Sequence, residues 1–350
     1  MSSESSRRPS ELDKIDAQIL ELIGARSELT TELGESGIGS VHVERLRLAN
    51  VVQASKSGHI GDQDAEAILT HIASVCRRQV QEMRVAFLGP KYSYSHLAAC
   101  KYFGDGADFA PVNSIPAVFQ AVRRGDCSAG LVPIENSTDG RIVDTLGMFV
   151  RQEMGICGEV VFPIHHNLLS KSTREDIVEV QSKPQALSQC REWLLANLPN
   201  ARMVEVSSTA IAAENANQQA GVAAVASIEA GRHYGLSVVA DNIEDNRNNV
   251  TRFAVLGREQ PAPTGDDKTS LLFELHHQPG ALADAITIFK SNELNLTWIE
   301  SFPAPERPSE YLFFVELSGH RDQPMVQKAL QELRDGTYRL TVLGSYPKGS

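Results

Sequence analysis

The sequence has few cysteines and no long apolar run. Its five cysteines, at positions 76, 100, 127, 157 and 190, are widely spaced, odd in number and form no CxxC pair. This spacing argues against a disulfide framework and against a structural zinc site. No run of about 18 apolar residues, the length that a membrane-spanning helix needs, occurs in the chain. The polar first ten residues lead into no apolar signal segment. We therefore expect a reduced, cytoplasmic protein.

Basic residues are outnumbered, which argues against another class of function. The chain has 33 Lys and Arg against 44 Asp and Glu, a formal net charge of −11. Binding to nucleic acid needs a concentrated basic face, so we expect neither a nucleic-acid nor a membrane partner. A small anionic substrate is still allowed, because a pocket can be locally basic on an acidic protein.

Several catalytic and metal-binding signatures are also missing. GxSxG, the P-loop and GxGxxG do not occur, so the hydrolase and nucleotide-binding interpretations have no support. His165-His166 and His276-His277 are adjacent pairs, whose members would point to opposite faces of a strand and could not easily hold one ion. We interpret them as ordinary polar or core histidines and expect no metal and no cofactor.

The hydrophobic period changes along the 350 residues, a length that suggests two or three domains. Residues 10–82 have the spacing of helices only. The first helix carries an apolar stripe of six residues: Leu12, Ile15, Ile19, Leu22, Leu29 and Leu33. Gly34 and residues 36–40 predict its end, and two shorter helices follow. Because such a bundle buries little by itself, we expect it to dimerise or to dock.

From residue 84 to residue 258, strand-like runs alternate with helix-like runs, which is typical of an α/β domain. Residues 259–267 contain two prolines, a glycine and two aspartates and are predicted to be a linker. Residues 268–346 follow the order βαββαβ, the ferredoxin-like unit. That unit occurs in many unrelated proteins, so it says little about function.

Three polar loops lie beside predicted strands of the α/β segment. GPKYSYSH, residues 89–96, joins a strand to a helix; its hydroxyls and helix amides can receive an anion, although a simple capped turn explains it better when it is taken alone. VPIENSTDG, residues 132–140, ends a strand, where open α/β sheets bind ligands. NNVTRF, residues 248–253, offers an arginine and a hydroxyl, which suit carboxylate recognition.

These loops, together with SKPQALSQC, SSTAIAA and NNVTRFAVLG in the same order, resemble the prephenate dehydratase family. The C-terminal segment resembles an ACT domain, and the N-terminal helices resemble the all-helical chorismate mutase domain. The whole is similar to the bifunctional chorismate mutase/prephenate dehydratase family. The resemblance gives the domains as 10–82 (mutase-like), 84–258 (dehydratase) and 268–346 (ACT).

The resemblance implies a two-lobed α/β dehydratase domain, like the type II periplasmic binding proteins, with its site in the cleft. It implies the decarboxylative dehydration of prephenate to phenylpyruvate in phenylalanine biosynthesis, without a cofactor. Thr251 is the family's essential hydroxyl; a threonine is too weak an acid to be the only proton source, so we expect Glu135 or His96 to relay a proton behind it. The expected substrate-binding residues are Arg252, Lys91, Asn136, Ser93, Gln185, Ser208, Thr209 and Asn249. Tyr92 departs from the family's usual glycine and Lys183 from its usual histidine.

The mutase-like segment departs further from its family. Arg26 falls on the apolar stripe, where a guanidinium is either a substrate ligand or one half of an ion pair, for which Glu44 is the candidate partner. Of the family's site residues only Arg26 and Arg45 clearly match. The other expected positions read Pro9, Gly37, His42, Leu46 and Val80. We predict little or no mutase activity; the alternative is a fully bifunctional enzyme with a site rebuilt from Arg7, Arg8, Arg26 and Arg45.

The ACT resemblance implies feedback inhibition by phenylalanine. The expected effector-binding residues are Gly280, Ala281, Leu282, Glu300 and Ser301. The family's ESRP run reads Glu300-Ser301-Phe302-Pro303 here, so one arginine contact is missing. We expect a homodimer or a homotetramer. A non-catalytic amino-acid sensor is the alternative of another class, and the sequence does not separate prephenate from arogenate as substrate.

Overall fold

A computed structural model describes residues 4–38, 41–55, 59–304, 307–337 and 339–349. The chain forms two compact units. The first contains Met1–Arg84 and Cys100–Asp108, and the second contains Val85–Ala99 and Phe109–Ser350. The three domain boundaries expected from the sequence remain predictions.

The first unit is built on three helices: α1 Glu4–Ile38, α2 Val41–Ser55 and α3 Asp62–Arg77. Gly34, where the sequence predicts a helix end, has φ 63° and interrupts the helical geometry of α1. This is the left-handed region, which glycine enters without a steric penalty. The predicted apolar stripe of α1 is exposed in the single chain; Leu12, Ile19 and Leu22 are 62%, 46% and 71% exposed.

The second unit alternates strands with helices, as the sequence predicts. Its strands are β1 Arg84–Leu88, β2 Asp108–Val112, β3 Ala129–Asn136, β4 Gly140–Arg141, β5 Gly155–Pro163, β6 Asn167–Ser170, β7 Glu179–Ser182, β8 Arg202–Glu205, β9 Val222–Ala226, β10 Ser237–Ala240, β11 Val250–Gly257, β12 Asp267–Leu275, β13 Leu296–Ala304, β14 Arg307–Ser318 and β15 Arg339–Pro347. Its helices are α4 Tyr94–Phe103, α5 Ile115–Arg124, α6 Val143–Arg151, α7 Pro184–Gln189, α8 Arg191–Asn197, α9 Thr209–Gln218, α10 Ile228–Tyr234, α11 Ala281–Ser291 and α12 Pro324–Asp335.

Two mixed sheets form the predicted two lobes. The first has the order β2-β1-β3-β11-β5, with β4 paired to β3, and the second has the order β10-β6-β9-β7-β8. The chain leaves the first sheet after β5, builds the whole second sheet, and returns through β11. Strand β11 runs antiparallel to both β3 and β5, so it is a central strand of the first lobe. Residues on β11 are therefore held from both sides.

Local signals fix the helices of the first lobe. The Ser114 hydroxyl accepts a hydrogen bond from the Ala117 amide, and Pro116 occupies an early position of α5. Gly125 ends this helix at φ 81°. Val118, Phe119 and Val122 are buried on one face of α5, as an amphipathic helix over a sheet requires.

The C-terminal residues form the predicted βαββαβ unit, with the antiparallel order β13-β14-β12-β15. Its sheet shares one hydrophobic core with the first lobe, since Phe314 and Tyr346 belong to the same buried cluster as Phe119 and Phe149. All five cysteines are free thiols. In the part of the chain that the structure describes, every helix is too short or too polar to cross a membrane.

Candidate active site

Thr251 and Asn136 lie opposite each other on neighbouring strands of the first lobe. Register pairs Thr251 of β11 with Asn136 at the end of β3. The two side chains meet, with Asn136 Nδ2 2.8 Å from Thr251 Oγ1. Both residues are buried, each 8% exposed. Two of the predicted site residues, 115 positions apart in the chain, therefore contact each other.

The direction of these hydrogen bonds is fixed by the backbone. Asn136 Oδ1 accepts from the amides of Thr138 and Asp139, at 2.9 and 3.0 Å. Its Nδ2 is therefore the donor, and it serves Asn249 Oδ1 at 2.9 Å as well as Thr251 Oγ1. Because Thr251 Oγ1 accepts this bond, its own hydrogen remains to be donated to another group.

The network continues into the second lobe through Gln189, the last residue of α7. Asn249 Nδ2 donates to Gln189 Oε1 at 2.9 Å. Gln189 Nε2 donates to Asp139 Oδ2 at 2.9 Å, which fixes the orientation of the amide. His166, just before β6, places Nε2 3.0 Å from the same Gln189 oxygen. Since that oxygen can only accept, His166 Nε2 carries a proton.

His166 and Tyr94 form the far end of the network. The Tyr94 hydroxyl donates to the carbonyl oxygen of His165 at 2.6 Å and lies 3.0 Å from His166 Nδ1. Burial lowers the pKa of His166, although the hydrogen bond with Gln189 and the charge of Glu244 act in the opposite direction. Burial also raises the pKa of the Tyr94 phenol well above its ordinary value. Both groups are therefore neutral near pH 7.

Glu244 binds both histidines at this end of the network. Its carboxylate accepts from the amide of His166 at 2.9 Å and contacts His165 Nδ1 at 2.8 Å. Burial alone would raise the pKa of Glu244, but these hydrogen bonds outweigh it and lower the pKa. A cavity of about 270 Å³ beside Glu244 is lined by His165, Asp241, Asn242, Glu244 and Arg247.

The glutamine that the sequence predicts to bind substrate, Gln185 of α7, stays a prediction. Gln185 is exposed, whereas Gln189, one helical turn later, joins the network. The two lie four residues apart on one helix, so spacing alone could not separate them. His166 was interpreted as an ordinary core histidine and Tyr94 was not selected. Tyr94 lies within the quoted loop of residues 89–96, whereas His166 lies outside every quoted loop and is marked only by its neighbour His165.

Glu135 and Arg252 do not lie where the sequence placed them. They are adjacent to Asn136 and Thr251 on their strands, and successive strand residues point to opposite faces. The Arg252 guanidinium instead binds Glu135 Oε2 at 2.7 Å, Glu159 Oε2 at 3.0 Å and Glu316 Oε2 at 2.7 Å. These bonds do not support Arg252 as a carboxylate anchor or Glu135 as a relay behind Thr251.

The loop of residues 89–96 uses its polar groups locally. His96 Nδ1 accepts from the Tyr92 amide at 3.2 Å, and its ring lies between Phe87 and Phe109. The Ser93 hydroxyl donates to the carbonyl oxygen of Leu88 at 3.3 Å. These contacts favour the capped-turn interpretation of the loop and place the described bonds of His96 away from Thr251.

The remaining predicted substrate-binding residues show mixed positions. The hydroxyl of Ser208 caps α9 by accepting from the Ile211 amide at 3.1 Å, and Thr209 is buried as the first residue of that helix. Lys91 is exposed on its loop. Tyr92, at the position of a family glycine, adopts φ 65° and stacks on His233 with ring centres 3.8 Å apart.

The expected effector residues fall on two separate elements of the C-terminal unit, the start of helix α11 and strand β13. Gly280 has φ 88° and precedes α11, which begins with Ala281 and Leu282. Glu300 and Ser301 lie on β13, which is separated from β12 by β14. Glu300 forms an ion pair with Arg141 of β4.

In the helical unit, the two matching arginines are engaged by the protein itself. Arg26 Nη2 lies 2.8 Å from Glu44 Oε1, and Arg77 Nη2 lies 2.8 Å from Glu44 Oε2. The ion-pair interpretation of Arg26 is therefore the one the structure supports. Arg45 donates to the carbonyl oxygen of Lys101 at 3.0 Å, with its guanidinium 4.7 Å from the centre of the Tyr102 ring. The side chains of Arg7 and Arg8 lie outside the described residues.

Known proteins resemble the chain over most of its length. A sequence model of the prephenate dehydratase family matches residues 85–261. A bifunctional chorismate mutase/prephenate dehydratase of Aquifex aeolicus is 40% identical over 348 residues, which cover 97% of this chain and 96% of that protein. A crystal structure of prephenate dehydratase from Arthrobacter aurescens in complex with L-Phe has a TM-score of 0.72 and 32% identity, covering 76% of this chain and 90% of its own. One from Staphylococcus aureus has a TM-score of 0.67 and 30% identity, covering 75% and 100%. The chain belongs to the bifunctional chorismate mutase/prephenate dehydratase family.

Proposed function

We propose that the protein is a lyase that converts prephenate to phenylpyruvate, carbon dioxide and water. The observation that carries this proposal is the Thr251–Asn136 pair, in which Thr251 accepts from Asn136 Nδ2 and keeps its own hydrogen to donate. The pair lies in a polar network that joins the two lobes, within the segment that matches the family.

The reaction needs help at one oxygen. The C1–carboxylate bond breaks to give carbon dioxide, its electron pair completes the aromatic ring, and the C4 hydroxyl leaves. That oxygen takes up one proton to become water. Thr251 stabilises the departing oxygen by hydrogen bonding as negative charge develops on it, and Asn136 holds the threonine in place. The proton itself comes ultimately from solvent or from an acid in the site, because the threonine hydroxyl is too weak an acid to be the only source.

The uncharged amide side chains near Thr251 suit the stabilisation of this departing oxygen. Asn136, Asn249 and Gln189 are amides that cannot titrate, and His166 is kept uncharged by burial. Preorganised dipoles of this kind need little rearrangement when charge develops on the substrate. A carboxylate beside Thr251 would oppose a dianionic substrate, and Glu135 points to the other face.

We infer that the C-terminal βαββαβ unit is an ACT domain that binds phenylalanine and inhibits the enzyme. The Arthrobacter aurescens relative, named as a complex with L-Phe, supports this inference. The left-handed Gly280 before α11 leaves room for a ligand to approach the backbone.

We further propose that the helical unit has little mutase activity. Chorismate rearrangement needs cations that can face the substrate and its developing ether-oxygen charge, whereas Arg26 and Arg77 both bind Glu44. The exposed apolar stripe of α1 supports assembly of the chain as a homodimer or homotetramer.

One set of assays on the purified full chain tests these proposals. Prephenate should yield phenylpyruvate, phenylalanine should slow that reaction, and chorismate should react no faster than its uncatalysed rearrangement. Binding of phenylalanine without any turnover of prephenate would instead favour the non-catalytic sensor. Mutase turnover at an ordinary enzymatic rate, roughly 1 to 1000 per second, would favour the fully bifunctional alternative.

A further inference from the structure

Three strands of the first lobe present two different rows of side chains, one to each face. Cross-strand register places Gly140, Asn136 and Thr251 in one row across β4, β3 and β11. The next row, one residue away, is Arg141, Glu135 and Arg252. Since successive strand residues alternate faces, the second row points away from the catalytic pair.

The charged row meets the C-terminal sheet. Arg252 lies 2.7 Å from Glu316 Oε2 of β14, and its guanidinium carbon lies 5.3 Å from the centre of the Trp298 ring of β13. Arg141 pairs with Glu300 of β13, with its guanidinium 5.5 Å from the centre of the Phe302 ring. Both strands that carry the Thr251–Asn136 pair are therefore attached to the C-terminal sheet, β11 through Arg252 and β3 through its partner strand β4.

The buried part of this contact is a network of four charges, Arg252, Glu159, Lys268 and Glu316. Glu316 is fully buried and also lies 3.3 Å from Lys268 Nζ. Lys268 in turn lies 3.0 Å from Glu159, which Arg252 contacts as well. Arg252 and Glu159 belong to the first lobe, whereas Lys268 and Glu316 belong to the C-terminal unit. Two of the ion pairs, Arg252–Glu316 and Lys268–Glu159, therefore cross from one to the other.

The surrounding groups leave the network little freedom. Ser270 Oγ and Tyr346 Oη, 2.6 Å apart, lie 3.5 and 3.4 Å from Glu316 Oε1. Burial alone would lower the pKa of Arg252, but Glu316 and Glu159 outweigh it and raise it. Because breaking buried ion pairs is unfavourable, the two cross-domain pairs couple the C-terminal sheet to strand β11.

We propose that Arg252 is a positioning residue, through which the C-terminal sheet sets the placement of Thr251 against Asn136. This proposal rests on the proposed dehydratase function. It assigns to the C-terminal domain a direct part in the geometry of the active site, and to Arg252 a role other than contact with the substrate. A displacement of β14 reaches Thr251 through one adjacent residue of a central strand.

A double-mutant cycle in the full chain tests the proposal. Arg252→Met, Glu316→Gln and the double variant are assayed for kcat and KM with prephenate. We expect each single change to lower kcat about tenfold or more, because small displacements of reacting groups are costly, with KM within about threefold of that of the unmodified protein. The double variant should be no slower than the worse single variant, because both changes break one connection.

Direct contact of Arg252 with substrate predicts a different result. In that case Arg252→Met raises KM about tenfold or more, Glu316→Gln leaves both constants unchanged, and the proposal is overturned. Arg202→Met and Glu179→Gln, an ion pair on the second lobe with an exposed arginine, are the matched controls and should leave kcat within about twofold.

Two further readouts keep the outcome clear. Circular dichroism and thermal melting show whether each variant is folded; if Arg252→Met is not, the comparison of Glu316→Gln with Glu179→Gln still decides, since only the positioning role lowers kcat through Glu316. Absence of turnover in the unmodified protein would refute the dehydratase function itself and is visible before any variant is made.

Discussion

The helical unit and the cleft of the α/β unit treat their polar side chains in opposite ways. In the helical unit, the carboxylate of Glu44 forms ion pairs with two guanidinium groups, those of Arg26 and Arg77. An anionic substrate would have to displace this carboxylate to bind them. In the α/β unit, Asn136 donates to both Asn249 and Thr251, and Asn249 donates to Gln189. The hydroxyl hydrogen of Thr251 can therefore be donated to a substrate. An arginine that matches a family's site position is therefore a weaker sign of a substrate site than a hydroxyl whose hydrogen-bond donor, Asn136, is oriented by backbone amides.

The largest effect on this comparison is expected from a change at Asn136. We expect Asn136→Ala to lower kcat about 100-fold or more, because Thr251 loses the donor that orients it and the Thr138 and Asp139 amides lose their acceptor. Steady-state rates with prephenate measure the effect. Asn197→Ala, which removes a hydrogen bond to the Trp193 carbonyl oxygen and an exposed one from Arg174, is the matched control, and equal rates for the two variants would refute the role of Asn136.

The helical side of the comparison is tested at Glu44. Glu44→Gln removes the charge that neutralises Arg26 and Arg77 in a largely buried site. We expect it to lower the free energy of unfolding of the helical unit by about 2 kcal/mol, measured by denaturant titration. Glu66→Gln, which touches the more exposed contact with Arg45 at 3.5 Å, should cost less than about 0.5 kcal/mol. Equal free energies of unfolding for Glu44→Gln and Glu66→Gln would show that the ion pairs of Glu44 do not stabilise the helical unit.

The two glutamines of α7 sharpen the cleft side. Gln189→Ala should lower kcat/KM about tenfold, because it breaks the connection from Asn249 to His166. Gln185→Ala, on the same helix and exposed, should change kcat/KM less than about twofold. A larger loss of kcat/KM for Gln185→Ala than for Gln189→Ala would instead support Gln185, the residue predicted from the sequence.

The smallest effect concerns pH. Burial lowers the pKa of His166 in the folded protein, so below about pH 6.5, the ordinary histidine value, the unfolded chain binds more protons. The stability contributed by neutral His166 is therefore present above that pH and is lost as the pH falls. Melting temperatures between pH 7.5 and pH 5.5 should fall more steeply for the unmodified protein than for His166→Gln. Parallel curves would contradict this assignment.

Much of the fold could be predicted because periodicity and local signals agree. The cap at Ser114, the glycine at position 34 and the alternation of the C-terminal strands each fix an element by short-range chemistry. Thr251 and Asn136 both belong to polar motifs that the sequence places at the ends of strands, one at the start of β11 and one at the end of β3. The bonds of Arg252 did not follow from its motif, because its main partner Glu316 lies 64 residues away on another sheet.

Adjacent residues were the harder problem. A motif names a stretch of chain, whereas strand alternation sends Thr251 and Arg252 to different faces. Choosing between Gln185 and Gln189 likewise required knowing which turn of a short helix meets Asn249. Such choices depend on the packing of two lobes, which no local pattern contains.

The most direct measurement is the rate of phenylpyruvate formation by Thr251→Ala. We predict a kcat at least about 100-fold below that of the unmodified protein, with Thr251→Ser retaining most of the activity because it keeps the hydroxyl. Thr287→Ala, an exposed threonine of α11, should turn over prephenate normally. A folded Thr251→Ala protein with a near-normal rate would contradict the account.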